Sequence, residues 1–351
     1  MIKNITILIL SMLLCTTFLF GGNPDRQGEA GAYELIMNPW ARSAGLHTIN
    51  TAGIMGVEAL RLNPAGVSRI DGTELLIGHT IYLAGTDIGM NAAGIAQKVG
   101  ENGTFGLSIM ALDIGDINVT TTESPEGTGA TFSPNFVNIG LSYAHLFENK
   151  ISVGVTLRGI SESTTDLQAF GFAIDAGVQY VTGDNDEFKL GISLRNVGSP
   201  MTFKGEGLSR QVEVGGALAT NTNTVENRGA SFELPSVLNI GLSYDIILPA
   251  ENKLTIIGNF TSNSFSEDQF GIGAEFSLGS VFQLRAAYKY TNDSTEDSSI
   301  DASPVYTGLA AGLSVILPFK KGGEDKFGID YAYRASNPWN GSHSMAIRMN
   351  F

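Results

Sequence analysis

The chain has 351 residues, among them 43 Gly, 19 Phe and 10 Tyr, with a formal charge of -14 and a hydrophobic fraction of 43%. The acid excess excludes nucleic acid as a natural partner, because a phosphate backbone is held by Lys and Arg. The single cysteine, Cys15, falls in an amino-terminal apolar run, so the mature chain is expected to hold no disulfide, no cysteine metal site and no cofactor.

That apolar run, Ile5 to Phe20, follows Lys3 and ends in "GGNPD". It reads as a secretory signal peptide over residues 1–22, cleaved near Gly21 or Gly22. No later stretch approaches the roughly 18 apolar residues a spanning helix needs.

Residues 23–70 do not alternate and carry two Asn-Pro turns: "NPW", with Asn38 and Pro39, and "NPAG", with Asn63, Pro64, Ala65 and Gly66. The segment is too polar to cross lipid and too short for a separate domain, so it is expected to plug a lumen. Pro fixes one backbone angle and Gly permits a left-handed one, which lets "NPAG" make a tight corner against a wall. An ordinary turn fits the same four letters.

From residue 71 to 351 the chain has period two. "NIGLSY" occurs at Asn138–Tyr143 and again at Asn239–Tyr244, each copy followed by "ENK" and a second alternating run. Apolar residues Ile139, Leu141 and Tyr143 fall on one parity and Asn138, Gly140 and Ser142 on the other, the pattern of a strand with two unlike faces. A repeated hairpin is therefore expected to be a building unit. The second parity also collects Asp175, Gln179, Lys189, Arg195, Glu275, Arg285, Lys289, Asp330, Arg334 and Arg348.

Alternation fits a soluble sandwich as well as a barrel. Three signals choose the barrel. The chain ends in "MAIRMNF", where Met349 and the terminal Phe351 resemble the recognition signal of Gram-negative outer-membrane barrels; many strands carry Phe or Tyr near their ends, as interfacial girdles require; and loop lengths have a parity. Strands near 73-84, 87-98, 103-118, 135-146, 150-163, 167-181, 186-198, 235-248, 252-263, 267-278, 280-292, 304-319, 324-335 and 343-351 make about fourteen. The long connections 119–134, 199–234 and 293–303 then all follow odd-numbered strands, whereas "GENG", "FEN", "GDND" and "PAE" are short. The expected fold is all-β: a transmembrane antiparallel β-barrel of about 14 strands with an amino-terminal plug, its long loops outside. "RQVEVGGAL" (Arg210–Leu218) would spoil the parity as a barrel strand and is assigned to a folded outer loop with a local hairpin.

The expected inner face is mostly Gly, Ser, Asn and charge, with Tyr82, Met110, Ile257, Tyr306 and Ile316 as residues able to line a small pocket. Asp175, Glu275 and Asp330 with Arg195, Arg285 and Arg348 suit cross-strand ion pairs better than acid-base catalysis. His47, His79, His145 and His343 show no motif that joins them to a serine and a carboxylate, so an enzyme is not expected.

One resemblance goes further. The order of residues 37–80, above all "GVEALRLNPAG" from Gly56 to Gly66, resembles the PorV/PorQ family of outer-membrane proteins, itself related in fold to the FadL fatty-acid transporters and their hatch-bearing fourteen-stranded barrels. The resemblance implies a place in the outer membrane of a Gram-negative bacterium, surrounded by outer-membrane lipid. It also implies a role in type IX protein secretion, with translocon and attachment-complex proteins and secreted cargo as partners, met by the outer loops, chiefly Ser199 to Leu234. A FadL-like transporter of fatty acids or other hydrophobic small molecules is the alternative; it would share the fold but need apolar residues facing inward.

Overall fold

The computed structural model describes residues 26, 28–214, 221–291, 305–319 and 325–351. The signal peptide expected over residues 1–22 and the acidic loop 293–303 lie outside the described residues. In chain order the strands are β1 (Thr73–Tyr82), β2 (Ile88–Val99), β3 (Gly103–Asp113), β4 (Ile117–Asn118), β5 (Thr131–Phe132), β6 (Asn135–Phe147), β7 (Ile151–Ser163), β8 (Gln168–Thr182), β9 (Phe188–Gly198), β10 (Met201–Thr202), β11 (Ser209–Val214), β12 (Asn221–Glu226), β13 (Ser231–Phe232), β14 (Val237–Leu248), β15 (Asn252–Asn263), β16 (Gln269–Leu278), β17 (Phe282–Thr291), β18 (Tyr306–Pro318), β19 (Lys326–Ser336) and β20 (Ser342–Asn350).

Fourteen of these, β1–β3, β6–β9 and β14–β20, form one closed antiparallel barrel in sequence order, the architecture and strand number expected. It closes where β20 pairs with β1, Ile77 opposite Ile347, and the backbones of Thr73 and Phe351 exchange hydrogen bonds of 3.0 and 2.9 Å. The other six strands make two-stranded ribbons, β4–β5, β10–β13 and β11–β12. The last is the local hairpin expected at "RQVEVGGAL"; Gly215 to Leu218 of that stretch lie outside the described residues.

The β3–β6 and β9–β14 connections leave the same end of the barrel, which is the outer end by loop length. At the other end β6 and β7 reverse through Glu148 and Asn149 (φ 48° and 57°), and β14 and β15 through Ala250 and Glu251 (φ 61° and 59°). Paired left-handed residues give the reversal a twist that matches the strands. Both "NIGLSY" copies thus sit in equivalent wall strands above equivalent turns, as a building unit should.

The apolar parity faces out: Leu141 is 56% exposed and Leu284 59%, while their neighbours Ser142 and Arg285 are buried. A water-soluble sandwich would bury these residues; a bilayer solvates them. Phe105, Tyr143, Phe147, Phe188 and Phe282 ring the inner end, and Phe170, Phe172, Phe270 and Tyr290 ring the outer end, all exposed.

The segment before β1 lies in the lumen. It begins at the outer end, where Ala30 bridges Glu233 of the outer loop, and reaches the inner end at Ile70, just before β1. Its helices, α1 (Ala41–Gly45) and α2 (Ala59–Leu62), are too short to stand alone. They are held by burial: Trp40, Val57, Leu60, Leu62 and Val67 form one core with Leu76, Ala92, Ala96, Met110 and Ala144 of the wall. Each large side chain so buried contributes about 1.5–3 kcal/mol.

Candidate functional site

The two Asn-Pro turns build the plug's corners. Asn63 Oδ1 accepts the Ala65 amide (3.2 Å), while its Nδ2 donates to the Thr51 carbonyl within the plug (3.0 Å) and the Val178 carbonyl on β8 (3.2 Å). A side chain on Gly154 would run into the Pro64 backbone, and one on Gly177 into the Asn63 amide, so these wall glycines give the corner its room. Gly66 lies against the Ile54 carbonyl. In the other turn Asn38 Oδ1 accepts the Trp40 amide (3.0 Å) and the Pro39 carbonyl accepts Thr80 Oγ1 (3.3 Å).

Charges fasten the plug to the wall. Arg158 pairs with Asp175 (2.5 Å) and donates to the Leu60 carbonyl (3.0 Å), and Gln179 donates to the Ile54 carbonyl (2.9 Å). On the β16–β20 side Arg42 of α1 and Arg285 share Glu275, each at 2.9 Å. Arg348 bridges Asp330 (2.7 Å) and the plug's Glu58 (3.4 Å), whose other oxygen accepts Ser43 Oγ (2.6 Å). Burial pushes the Glu58 carboxyl up from its ordinary range.

Two of the three acid-base combinations read from the sequence are cross-strand ion pairs, Glu275–Arg285 and Asp330–Arg348. The third is corrected. Asp175 meets Arg158 instead of Arg195 because a bulge shifts the β8–β9 register between Ile174 and Ala176; Asp175 also accepts the Asn196 amide (2.7 Å), and Arg195 Nη1 turns to the Arg61 carbonyl (2.6 Å).

The plug leaves space at both ends of the lumen. At the outer end a cavity of about 470 Å³ is lined by Tyr33, His47 and Thr48 of the plug and by Tyr82, Arg195, Asn239, Thr261, Lys289, Tyr306 and Arg334 of the wall. At the inner end a cavity of about 590 Å³ opens between Gly53, Met55 and Arg69 of the plug and Lys98, Leu146, Gln179, Val181, Lys189, Asp245 and Lys253 of the wall, from β2 round to β15. A narrow pocket of about 70 Å³ extends the inner space up to Leu46, Asn50 and Ile257. Between outer cavity and pocket stands one apolar seam, Leu46 and Ile49 of the plug against Ile257 and Ala287 of the wall.

The single small pocket expected from Tyr82, Met110, Ile257, Tyr306 and Ile316 is therefore corrected. Tyr82 and Tyr306 line the outer cavity, with ring centroids 6.3 Å apart. Ile257 belongs to the seam, Met110 to the plug core, and Ile316 lines neither large cavity. Five wall positions of one parity can sit at different heights around the lumen.

The histidines occupy four separate places. His79 faces lipid beside Asn91 (2.8 Å), His145 stands near Phe147 in the inner girdle, and His343 meets the Tyr331 hydroxyl (2.8 Å). His47 lines the outer cavity of the lumen, edge-on to Tyr306 with centroids 5.7 Å apart. Burial, with Lys289 and Arg334 adding to it, holds its pKa well below the usual imidazole range. Nothing in the local sequence "AGLHT" marks it. At the carboxyl terminus the Phe351 ring stacks on Phe319 at 5.8 Å, and Met349 pairs across to Leu75.

No protein-family model matches the chain, and no curated protein matches it in sequence. Solved structures do match in fold. The CymD monoaromatic hydrocarbon channel superposes with a TM-score of 0.57 at 15% identity, over 91% of this chain and 99% of that one. The toluene transporter TbuX of Ralstonia pickettii gives 0.53 at 12% identity over 90% and 98%, and the toluene transporter TodX of Pseudomonas putida 0.52 at 12% over 85% and 93%. The chain shares the fourteen-stranded barrel fold of these outer-membrane proteins, with its apolar belt in the outer membrane.

Proposed function

We propose that this barrel is an outer-membrane channel for small molecules, which cross along the β14–β17 side of the plug. The observation that carries the reading is the alignment of two large cavities, one at each end of the lumen, kept apart by the seam of Leu46, Ile49, Ile257 and Ala287. Going down β15, Thr261 lines the outer cavity, Ile257 the seam and Thr255 the pocket below it; β17 adds Lys289 above and Ala287 in the seam. A few residues of plug would have to shift, and the core on β1–β8 can stay in place. The neighbours in fold are titled as hydrocarbon channels and toluene transporters, which favours small-molecule passage as the task.

The type IX secretion reading draws its support from the resemblance at Gly56–Gly66, and its contact surface would be the exposed β11–β12 ribbon. At the base of that outer loop Met201 and Leu234 pack with Ala32 and Leu35 of the plug, flanked by Phe203 and Phe232.

Influx of arabinose and benzenesulfonate into proteoliposomes, together with surface attachment of secreted cargo in cells, tests both. Replacing residues 205–230 with a short Gly-Ser linker is expected to leave cargo attachment intact and to raise influx. Lost attachment with unchanged influx would reverse the choice.

A further inference from the structure

Resting on the channel reading, the lining of the outer cavity points to a ligand class. Three cationic side chains reach it from three strands: Arg195 from β9, Lys289 from β17 and Arg334 from β19. Among the described residues no carboxylate lines it, in a chain whose formal charge is -14. On the lumen wall elsewhere Arg158 has Asp175, Arg285 has Glu275 and Arg348 has Asp330, each a carboxylate within ion-pair distance.

The cations are poorly satisfied. Arg334 is 6% exposed and lies over the Tyr306 ring, 4.6 Å from its centroid, with Nε and Nη2 lacking hydrogen-bond partners. Arg195 is 5% exposed; it spends Nη1 on the Arg61 carbonyl and leaves Nε without a partner. His47 Nε2, also buried, is in the same condition. An unpaired guanidinium out of water is costly, and the cost is relieved by an anion able to accept its hydrogens.

Body shape comes from the rest of the lining. Tyr82 and His47 both meet Tyr306 edge-on, an arrangement that accepts a further flat ring, and Ile36, Met37 and Val237 offer apolar contact. A purely hydrocarbon ligand would leave three positive charges uncompensated in the space it dries. A single carboxylate would answer one of them.

We infer that the outer cavity binds a small organic dianion with a flat, unsaturated body, its acidic groups taken by Lys289, Arg334 and Arg195. A volume of about 470 Å³ is within the range of small-molecule sites and leaves room for such a ligand with water around it.

Equilibrium dialysis of the full-length barrel in nanodiscs, against phthalate, its neutral dimethyl ester and laurate, tests this. Phthalate is expected to bind at least tenfold more tightly than either of the others, and less tightly as salt is raised. Lys289→Met and Arg334→Met are each expected to weaken phthalate by tenfold or more and to leave the ester unchanged, while Lys289→Arg restores binding; heat-modifiable migration shows that each variant is folded. Equal or tighter binding of the ester or laurate, or folded variants that hold phthalate as the parent does, would overturn the inference. Failure of the channel reading looks different: phthalate would bind with the same charge dependence, yet no solute would enter proteoliposomes.

Discussion

The two sides of the lumen are filled differently. At mid-height along β1–β8 the plug is packed onto the wall: Val57 lies against Gly94, Leu60 against Gly106 and Pro64 against Gly154, with Arg158 and Gln179 holding the plug's carbonyls, and the inner cavity opens at the inner ends of these strands, past Lys98, Leu146 and Val181. Along β14–β17 it meets the wall at the apolar seam of Leu46 and Ile49, at Thr51 and Ala52 against Gly241 and at the Arg42–Glu275 pair, and it leaves the outer cavity above the seam and, below it, the narrow pocket that joins the inner space. Both sides are cut from strands of the same composition, and the second even repeats the "NIGLSY" of the first. The difference teaches that anchoring and passage are assigned to opposite walls, so the plug need not leave the barrel for a solute to cross.

The anchoring half includes the closing seam, where the largest effect is expected. Phe351→Asp puts a charge beside Phe319 on the last strand, which we propose the assembly machinery reads together with Met349. Most of the heat-modifiable barrel should be lost from outer-membrane fractions; normal amounts would remove Phe351 from that role.

Next comes the plug seat. Gly154→Leu drives a side chain into the Pro64 backbone, and overpacking of this kind costs about 1–3 kcal/mol. The plug should then release from β7, read as faster amide exchange over residues 59–69. Retained protection would mean that the wall yields and the seat is less rigid than the packing implies.

On the passing side, Leu46→Ala with Ile49→Ala removes the seam. Each truncation costs about 2–5 kcal/mol if the space stays empty, so melting should fall moderately while arabinose influx rises severalfold. A double variant with lower stability and unchanged influx would show that the seam is not the barrier.

The smallest effect separates the two sides by pH. His47 has its pKa lowered by burial first and by Lys289 and Arg334 next, so its contribution to plug stability is present above the ordinary value of 6.5 and is lost as pH falls below it. Glu58, raised by burial, acts in the opposite direction, stabilising at low pH and less so as pH rises. Comparing the parent with His47→Gln isolates the first: between pH 7.5 and 5.5 exchange over residues 46–49 should accelerate in the parent only. The same acceleration in both would assign it elsewhere.

The barrel was legible in the sequence because each wall residue is chosen by which of two solvents it faces, and that choice repeats every second letter. Leu141 and Ser142 differ for that reason alone. Loop parity then oriented it. Contacts across the lumen left no such trace. Gly154 and Gly140 look alike as letters, yet one makes room for Pro64 and the other for wall side chains. Asp175 and Arg195 share a parity and seemed natural partners until a bulge moved one past the other. His47 matters through Tyr306 and Lys289, hundreds of positions away, and no local pattern records that.

The account's central claim is tested most directly by locking the plug to one wall at a time, with Cys15, the single cysteine of the sequence, replaced by Ser. Ile49→Cys with Gly271→Cys joins plug to passing wall, where a Gly271 side chain would begin 3.2 Å from the Ile49 Cβ; Val57→Cys with Gly94→Cys joins it to the anchoring wall. With both disulfides formed, arabinose and benzenesulfonate influx into proteoliposomes should stop in the first variant, return on reduction, and continue throughout in the second. Influx blocked equally by both locks would contradict the account, because passage would then require the whole plug to leave its seat.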